Sequence, residues 1–470
     1  MLLQVLHQLG LALTVRSVLW AVAILTSLVV FSAGALLWNG QEWKTRRKMR
    51  NLRRLQTSKR NMIDQYDEKY AAPEGSSAAG PVRIKALFIH PVKSCGPIEV
   101  DSAVVTKAGL LYDRCFALAV DSSPKKSDDN STLQFISQRT KPRMSLIKTE
   151  LWLPHERSDE QDPLVQAGGC LRMKFPEPES ATPLRQVQAC IEQFSLSAVP
   201  ECTFIVPLNP TIRFLRESDL QTRPFTIHYR EAHGVDMGRI PPVAEALSKL
   251  KTFLGYPDQR RLTLFRCTPE TLTRTDRNLA PLANIGSRAV HGYTDQQPIN
   301  INSIASVQAV SQQLPAENRP LNGLRFRANI WITGATAYDE ESWKRCRIVP
   351  RAARSSKMES RRPTTLSVVC RTSRCTIPNV DPEKGVFSTQ QPAEGKKMGL
   401  PQPSTALVKY RTVEDGNKAA LGYLGMHTVP EDRDLQAAAG RKADLIVRVG
   451  DEIEVLERGE HLYGSTGDAY

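Results

Sequence analysis

The sequence lacks the short motifs of several common cofactor sites. It contains no G-x-G-x-x-G, no G-x-x-x-x-G-K-[ST] and no H-E-x-x-H, so it gives no sign of a nicotinamide, nucleotide or zinc-protease site. With eight histidines and no C-x-x-C pair, it also gives little support to a structural zinc site. If the chain is a redox enzyme, its electrons must therefore come from a partner.

Disulfide-type cysteine spacing and a cleavable secretory start are missing as well. The nine cysteines are an odd number and show no tight pairing along the sequence. Secreted disulfide scaffolds have regularly paired cysteines, so we expect this chain in a reducing compartment with free thiols.

Positive charge is concentrated in one segment, although the formal net charge of +14 at first suggests nucleic-acid binding. Nine lysines and arginines lie between residues 44 and 60, with no acidic residue among them. The remaining net charge is ordinary for a globular protein, so we expect no nucleic-acid partner.

One long uncharged run precedes that basic segment. Val18 to Trp38 carries no charge, and about 20 apolar residues span a bilayer as a helix, so the run predicts a single transmembrane anchor in the lipid bilayer. The basic residues directly after it predict that the rest of the chain faces the cytosol. The alternative is a secretory signal peptide cleaved near Ser32–Ala35, but there the positive charge would precede the apolar run.

The rest of the chain, which is long enough for two or three units, predicts a β-rich α+β protein. Ala71–Gly80 has the composition of a flexible linker, and Arg351–Thr364 that of a loop insertion. Periodicity predicts a strand from Val82, further strands, two helices and a terminal hairpin. Their predicted positions are Cys115–Val120, Thr203–Val206 and Asn329–Thr333 for the strands, Pro242–Leu254 and from Ser303 for the helices, and Leu445–Val449 with Ile453–Leu456 for the hairpin.

Basic and hydroxyl side chains recur at the ends of these predicted strands. Guanidinium groups bind phosphate in a bidentate manner, so Lys and Arg at loop positions suit an anionic ligand. Cys375 follows Arg374, and a cysteine in an electropositive site should present the thiolate that binds soft metals. Taken alone, each feature has an ordinary alternative, since an Arg before a strand is usually a surface charge and a Cys in a strand is usually a core residue.

In their order along the chain, these segments resemble the MOSC family, the domains named for molybdenum cofactor sulfurases, and most closely a fungal-like variant of its amidoxime-reducing branch in the mitochondrial outer membrane. The resemblance covers nearly all of residues 82 to 456. It is carried by HPVKSC (His90–Cys95), GLLYDR (Gly109–Arg114), FISQRTKPRM (Phe135–Met144), FLGYP (Phe253–Pro257), RFRANIWITG (Arg325–Gly334), AYDEESWKR (Ala337–Arg345), CRTSRCTIPNVDPEKG (Cys370–Gly385), GYLGMHTVP (Gly422–Pro430) and VGDEIEVL (Val449–Leu456).

The resemblance implies an N-terminal β-barrel domain over residues 81–210 and a MOSC β-barrel domain with flanking helices over 240–460. Residues 1–80 would then hold the transmembrane anchor (18–38), the basic flank and the linker. Location in the mitochondrial outer membrane follows from the same likeness, with the endoplasmic reticulum as the alternative.

The resemblance also implies a molybdenum cofactor, a metal on one pyranopterin, with Cys375 as the only protein ligand of the metal. Cys370 matches a position outside the metal shell, and Asp381 matches one near the active site, where it would orient a neighbour or deliver a proton. Ala328 and His427 stand where the animal proteins commonly have Pro and Tyr. The positions that match cofactor-binding residues are Lys93, Ser94, Arg114, Arg327, Asn329 and Ser373.

The implied activity is a molybdenum-dependent oxidoreductase that reduces N-hydroxylated, amidoxime-type substrates. A b-type cytochrome and its NADH-dependent flavin reductase would supply the electrons, as in the family. Two alternatives stay open: a protein that carries molybdenum cofactor for sulfuration, and a non-enzymatic cofactor store. Pyridoxal phosphate is a family-level possibility that no motif in this chain supports.

Overall fold

The structure is a computed structural model, and it describes residues 4, 18–28, 30, 31, 34, 40–76, 80–122, 132–178, 182–275, 280–351, 361–392, 398–414 and 421–461. Most of the regular structure in these ranges is β-strand. The strands are β1 (Leu52–Arg54), β2 (Arg83–Ile89), β3 (Ile98–Val100), β4 (Ser102–Thr106), β5 (Gly109–Leu110), β6 (Phe116–Asp121), β7 (Leu133–Phe135), β8 (Lys148–Pro154), β9 (Cys170–Pro176), β10 (Glu201–Pro207), β11 (Thr222–Ile227), β12 (Arg230–Asp236), β13 (Leu262–Arg266), β14 (Thr273–Arg274), β15 (Val290–His291), β16 (Ile299–Ser303), β17 (Ile330–Thr333), β18 (Trp343–Val349), β19 (Thr364–Arg374), β20 (Val380–Asp381), β21 (Val386–Phe387), β22 (Gly422–Pro430), β23 (Ile446–Arg448) and β24 (Glu452–Arg458).

Helices in the described ranges are shorter and lie between the strands. They are α1 (Gln41–Lys48), α2 (Pro163–Gln166), α3 (Pro183–Gln193), α4 (Ile212–Glu217), α5 (Pro241–Phe253), α6 (Leu282–Ile285), α7 (Ile304–Gln312), α8 (Ser404–Tyr410) and α9 (Asp432–Ala439). Single 3-10 turns lie at Glu68–Tyr70, Pro142–Leu146, Met237–Arg239, Pro269–Thr271, Ala316–Asn318, Gly323–Phe326, Asp339–Ser342 and Ile377–Asn379.

The largest sheet has eight strands in the order β17-β16-β22-β19-β18-β24-β2-β3. β17 also pairs with β2, so the strands from β17 to β2 close into a ring. This pairing explains the sequence pattern of β2. Its residues alternate between buried and partly exposed as far as Ala86, and from Leu87 onward every residue is buried.

A closed five-stranded barrel, in the order β11-β12-β13-β6-β7, forms the second large β unit. Its interior is apolar, and the rings of Phe225 and Phe265 stack there with centroids 4.3 Å apart. Strands from residues 83–100 thus share a sheet with strands from 299–458, and strands from 116–135 share a barrel with strands from 222–266. The β-rich α+β class predicted from the sequence is confirmed, whereas the domain boundaries 81–210 and 240–460 stay a prediction.

Amphipathic periodicity located the two helices within one or two residues. α5 buries Val243, Leu247 and Leu250, and α7 begins after Ser303 as predicted and buries Val307 and Val310.

The C-terminal strands were predicted correctly as strands but wrongly as a hairpin. β23 pairs with β4, whereas β24 pairs with β18 and β2. Gly450 between them has φ +89°, and the chain there changes direction from one sheet to the other. Alternation in sequence identifies a strand, but it does not identify the strand's partner.

The predicted transmembrane anchor is not borne out. Among the residues that the structure describes, no helix is long and apolar enough to cross a membrane. Residues 29, 32, 33 and 35–39 of the predicted span lie outside the described residues. The expectation of a single-pass protein in the outer mitochondrial membrane or the endoplasmic reticulum, with its catalytic part facing the cytosol, is therefore corrected.

The basic segment that was predicted to flank a membrane is instead part of the fold. β1 pairs with β8 at the edge of a four-stranded sheet, in the order β1-β8-β9-β10, and α1 packs beside it. Glu42 of α1 pairs with the buried guanidinium of Arg172, which also donates to Glu150 (3.1 Å). A buried guanidinium needs such carboxylate partners, so these contacts hold α1 against the sheet. Residues 352–360 of the predicted insertion lie outside the described residues.

Glu340 is a fully buried carboxylate beside the start of α7. It accepts hydrogen bonds from Ser306 Oγ (2.8 Å) and from the backbone N–H of Ser303 (3.4 Å). Burial, reinforced by the neighbouring Glu341 carboxylate, raises the pKa of Glu340 from 4.5 to about 7. The folded chain therefore holds this proton more tightly than the unfolded chain does.

Stability should consequently fall with rising pH between the two pKa values. As the pH rises from 4.5 to about 7 the unfolded chain loses the Glu340 proton while the folded chain keeps it, which lowers the free energy of unfolding by about 3 kcal/mol in total. Glu340→Gln should remove most of this slope, because an amide does not ionise. Urea unfolding at about pH 5 and about pH 8 measures it. Glu454→Gln, an exposed change on β24, is the control and should keep the slope; an unaltered slope in Glu340→Gln would contradict the assignment.

Candidate functional site

A cavity lies where residues from the two large β units meet. It is bordered by the chain after β2, by the segments before β16 and β17, by the end of β19 and by the β11–β12 turn. The charged and polar residues that line it are Lys93, Ser94, Arg114, Ser137, Arg139, His228, Thr294, Asp295, Gln296, Gln297, Asn300, Arg325, Arg327, Asn329, Thr372, Ser373, Arg374, Cys375 and His427. All six predicted cofactor-binding residues and Cys375 are among them, although they are up to 282 positions apart in sequence.

The cavity is strongly cationic. Six lysines and arginines line it, and Asp295 is the one carboxylate among the described lining residues. Charges of one sign gathered in a partly buried site repel each other, so the arrangement favours a bound anion.

Lys93 lies just past the end of β2, at the base of the cavity. Its side chain is only 7% exposed, its Nζ pairs with the Asp295 carboxylate, and it lies 5.2 Å from the centroid of the Phe135 ring. Burial lowers the pKa of Lys93 to about 8, and Asp295 opposes that shift. Asp295 therefore keeps the ammonium charged near neutral pH.

A network of partly buried hydrogen bonds joins Arg114 to the segment before β17. Arg114 donates through Nη2 to the carbonyl of Arg327 (2.9 Å) and through Nη1 to Asn329 Oδ1 (3.4 Å) and to the Asp113 carboxylate. Asn329 in turn donates to the carbonyl of Phe88 in β2 (3.2 Å). The segment that leads into β6 of the five-stranded barrel thus contacts the ring of strands through these side chains.

The backbone conformation at Gly109 explains why the GLLYDR segment begins with glycine. It has φ +108°, and a Cβ there would lie 2.5 Å from the carbonyl oxygen of Pro298. Only glycine permits this close approach, which places Arg114 beside the chain leading into β16.

Four non-glycine residues of the cavity wall adopt the left-handed backbone region. They are Ser94 (φ 66°), Arg114 (φ 47°), His228 (φ 56°) and Arg327 (φ 54°), out of nine such residues in the described chain. This conformation costs free energy for residues with a Cβ, and it tends to gather at binding sites. Its concentration here indicates that the backbone is shaped to direct these side chains.

Arg327 has a donor that is unpaired in the described chain, which suits it to bind an anionic ligand. Its Nη1 donates to the carbonyl of Cys95 (2.7 Å), while its Nη2 is buried and has no hydrogen-bond partner among the described residues. Burial and the nearby Arg114 lower the pKa of Arg327 to about 10. An anion would supply the missing acceptor, so the cavity fits a phosphate-bearing group such as a pyranopterin cofactor.

Cys375 follows the end of β19 and opens into the cavity. It is partly exposed, and Cys190 is the one other cysteine of which this is true. Its Sγ lies 3.5 Å from the backbone N–H of Ile377. Cys370 is buried and does not border the cavity.

Arg374, the residue before that thiol, uses its guanidinium donors on acceptors within the protein. It donates to the carbonyl of Leu424 (Nε, 2.8 Å), to the carbonyl of Phe326 (Nη1, 2.9 Å) and to Asn300 Oδ1 (Nη2, 3.3 Å). Its burial lowers the pKa of Arg374 to about 9, and Cys375 opposes the shift. Arg374 therefore holds the end of β19 against β22 while adding positive charge beside the thiol.

Asp381 is the one predicted site residue outside this cavity. It borders a second depression together with Arg319 and Lys384, and Arg325 stands between the two. Asp381 Oδ1 accepts hydrogen bonds from the backbone N–H of Glu383 (2.9 Å) and of Lys384 (3.1 Å). Its functional role stays a prediction.

Sequence reasoning missed Asp295 and His228. Their side chains approach each other to 3.4 Å (Nε2 to Oδ1), and Asp295 also pairs with Lys93. Lys93 and then His228 lower the pKa of Asp295 well below its usual value, although burial opposes them. The sequence position of Asp295 could have identified it, because Asp295 precedes the buried strand β16 much as Arg327 precedes β17. His228 carries no such signal, since its place depends on the β11–β12 turn.

Comparison with known proteins assigns both halves of the chain. The family model for the MOSC N-terminal beta barrel domain matches residues 81–201, and the model for the MOSC domain matches residues 288–454. Mitochondrial amidoxime-reducing component 1 of Danio rerio is 31% identical over 341 residues, which is 70% of this chain and 80% of that protein. Its namesake from Homo sapiens is 26% identical over 318 residues, 67% of this chain and 71% of that protein.

A second group of relatives is larger than this chain. Molybdenum cofactor sulfurase of Danio rerio is 24% identical over 331 residues, 68% of this chain but 30% of that protein's own length. With two MOSC domain models in order and a relative above 30% identity over most of its length, this chain belongs to the MOSC domain family, and its relatives include mitochondrial amidoxime-reducing components and molybdenum cofactor sulfurases.

Proposed function

We propose that this protein is a molybdenum-cofactor-dependent oxidoreductase that reduces N-hydroxylated, amidoxime-type compounds with electrons from a partner protein. The observation that carries the proposal is the convergence of Cys375 and the cationic side chains of both β units on one cavity. The names of the amidoxime-reducing relatives support the choice of reaction.

Different residues of the cavity would bind different parts of such a cofactor. Lys93, Arg114 and Arg327 offer positive charge and hydrogen-bond donors to its phosphate, with Ser94 and Asn329 shaping the same wall. The Cys375 thiolate offers the soft ligand that molybdenum requires from the protein. When bound, the cofactor would supply two-electron chemistry that takes oxygen from the N-hydroxyl group and releases it as water.

Proton handling is proposed for Asp381, acting from the neighbouring depression. Its carboxylate lies 3.6 Å from Arg325 Nη2, and Arg325 also borders the main cavity. Orientation of neighbouring groups is the role that this geometry supports more directly, because an arginine does not relay protons near neutral pH.

The electrons are proposed to come from a b-type cytochrome and its NADH-dependent flavin reductase. The chain has no nicotinamide or flavin motif of its own. Four of the six cations of the cavity wall, Lys93, Arg114, Arg139 and Arg327, lie outside helices and strands, and the positive charge there would attract an acidic surface of the partner electrostatically.

A second candidate function is transfer or presentation of molybdenum cofactor without reduction. The molybdenum cofactor sulfurase relatives favour it, since one of them matches 331 residues, which is 68% of this chain. Both candidates need the same cofactor cavity, so they differ in turnover and not in binding.

Replacement of Cys375 tests both the ligand and the reaction. Cys375→Ala should lose bound molybdenum, and reduction of benzamidoxime by the reconstituted electron chain should fall to background. Elemental analysis and NADH consumption measure the two effects. Cys190→Ala, which removes the other partly exposed thiol, is the matched control and should keep both.

Normal metal content together with normal reduction in Cys375→Ala would refute the ligand assignment. Bound molybdenum without turnover in the parent protein, with every electron chain supplied, would favour the carrier function instead.

Arg327 tests the anion-binding wall without any metal. Inorganic phosphate or pyrophosphate should raise the melting temperature of the cofactor-free protein, since a ligand that binds the folded state stabilises it. Arg327→Met keeps most of the side-chain volume but removes the donors, and should reduce that shift by about half or more. Arg458→Met, on an exposed arginine paired with Asp339, is the control. A phosphate shift as large in Arg327→Met as in the parent would contradict the assignment.

A further inference from the structure

The main chain immediately after Cys375 is held by one guanidinium group. Arg325 Nη1 lies 3.3 Å from the carbonyl oxygen of Pro378, 3.3 Å from that of Asn379 and 3.0 Å from Ser388 Oγ. The two carbonyls belong to the 3-10 turn Ile377–Asn379, which begins two residues beyond the thiol.

Asp381 completes this attachment from the other side. Its Oδ2 lies 3.6 Å from Arg325 Nη2, while its Oδ1 caps the turn at Glu383 and Lys384. The Arg325 side chain is only 12% exposed, so its charge depends on these acceptors. Burial lowers the pKa of Arg325, and Asp381 opposes that shift. Removing the carboxylate would therefore weaken the hold of Arg325 on the loop.

Cys375 thus lies between two arginine contacts that reach the same 3-10 turn, Gly323–Phe326. Arg374, on the residue before the thiol, donates to the carbonyl of Phe326 in that turn (2.9 Å). Arg325 belongs to the turn and reaches the loop after the thiol. Arg327 follows this turn directly, and its backbone is left-handed. The thiol and the anion-binding guanidinium are consequently fixed relative to each other.

We propose that Arg325 is a positioning residue that fixes the Cys375 thiol by holding the chain after it, with Asp381 acting through Arg325. The proposal relies on the proposed function only for the use of that thiol as a metal ligand. It gives Asp381 a role in orientation, and it concerns two side chains that need touch neither cofactor nor substrate. Lysine cannot fully replace Arg325, because Nη1 makes the contacts to the two carbonyls and the hydroxyl while Nη2 faces Asp381, and one ammonium group cannot occupy both positions.

Alkylation of Cys375 tests the proposal in the cofactor-free protein. In a Cys190→Ser background Cys375 is the one partly exposed cysteine, so its reaction with iodoacetamide can be followed by mass spectrometry. Arg325→Gln should speed this reaction about tenfold, which corresponds to losing one hydrogen bond from a charged group that closes the loop. Arg325→Lys should restore little of the protection. Arg319→Gln is the matched control, since Arg319 is exposed and borders the second depression, and it should react at the parent rate.

A double-mutant cycle separates orientation from proton delivery. If Asp381 acts through Arg325, Asp381→Asn should speed alkylation in the same direction, and the double variant should react no faster than Arg325→Gln alone. Additive effects of the two changes would refute the coupling. An alkylation rate in folded Arg325→Gln equal to the parent rate would refute the positioning role itself. Should Arg325→Gln fail to fold, Arg325→Lys and Asp381→Asn decide the same question.

Molybdenum content separates this proposal from the proposed function. In loaded protein, Arg325→Gln should retain about tenfold less metal than Arg319→Gln, as expected when a residue that orients a ligand is removed. If alkylation responds as stated but no variant, nor the parent, binds molybdenum, the positioning role stands and the proposed function falls. If metal binds equally in both variants while alkylation is unchanged, the positioning role falls and the proposed function stands.

Discussion

The antiparallel pairing of β2 with β17 is the interaction on which the site depends. It places Ile330 opposite Leu87 and joins the start of β17 to the end of β2. Asn329 strengthens the junction, because its backbone carbonyl accepts from the Phe88 N–H (2.8 Å) and its side chain donates to the Phe88 carbonyl (3.2 Å). Since antiparallel strands run in opposite directions, the chain leaving β2 toward Lys93 and the chain entering β17 from Arg327 emerge on the same side. The cavity follows from that geometry.

Gathering six cations around one cavity requires compensation within the protein. Arg374 and Arg325 use their donors on backbone carbonyls, Lys93 is paired with Asp295, and Arg114 with Asp113. Arg327 keeps a buried Nη2 without a partner among the described residues. Arg325 also keeps a buried Nε without a partner among the described residues, but its two terminal nitrogens contact the chain after Cys375, whereas one terminal nitrogen of Arg327 lacks an acceptor. Identical residue types therefore differ in how fully the surrounding acceptors satisfy their donors.

Local patterns in the sequence predicted the positions of single helices and strands, which depend mainly on neighbouring residues. Amphipathic periodicity located α5 and α7, alternation located β2, and a short apolar run located β17. Partner choice between strands was beyond such patterns, as the hairpin predicted for β23 and β24 shows. The basic segment was also misinterpreted, because its charge does not reveal which residues it packs against. The helix α1, which contains part of that segment, is held to the sheet by Glu42, whose carboxylate pairs with the buried Arg172. The anchor expected over residues 18–38 rested on hydropathy and on the charge that follows it, and no described helix is long and apolar enough to cross a bilayer.

The position of Cys375 shows where alternation itself stops being informative. β19 pairs with β22 through register shifts between Val368 and Cys370 and again between Arg371 and Ser373, so the two cysteines cannot be assigned to faces by counting residues. Four consecutive residues, Thr372 to Cys375, border the cavity, which a regular strand does not permit. The irregular end of β19 turns successive side chains toward one space, and the arginine contacts before and after the thiol hold that irregular backbone in place. A thiol at such a point depends for its direction on residues outside its own strand, and for Cys375 these are Arg374, Arg325 and the 3-10 turn that contains Arg325 and accepts from Arg374.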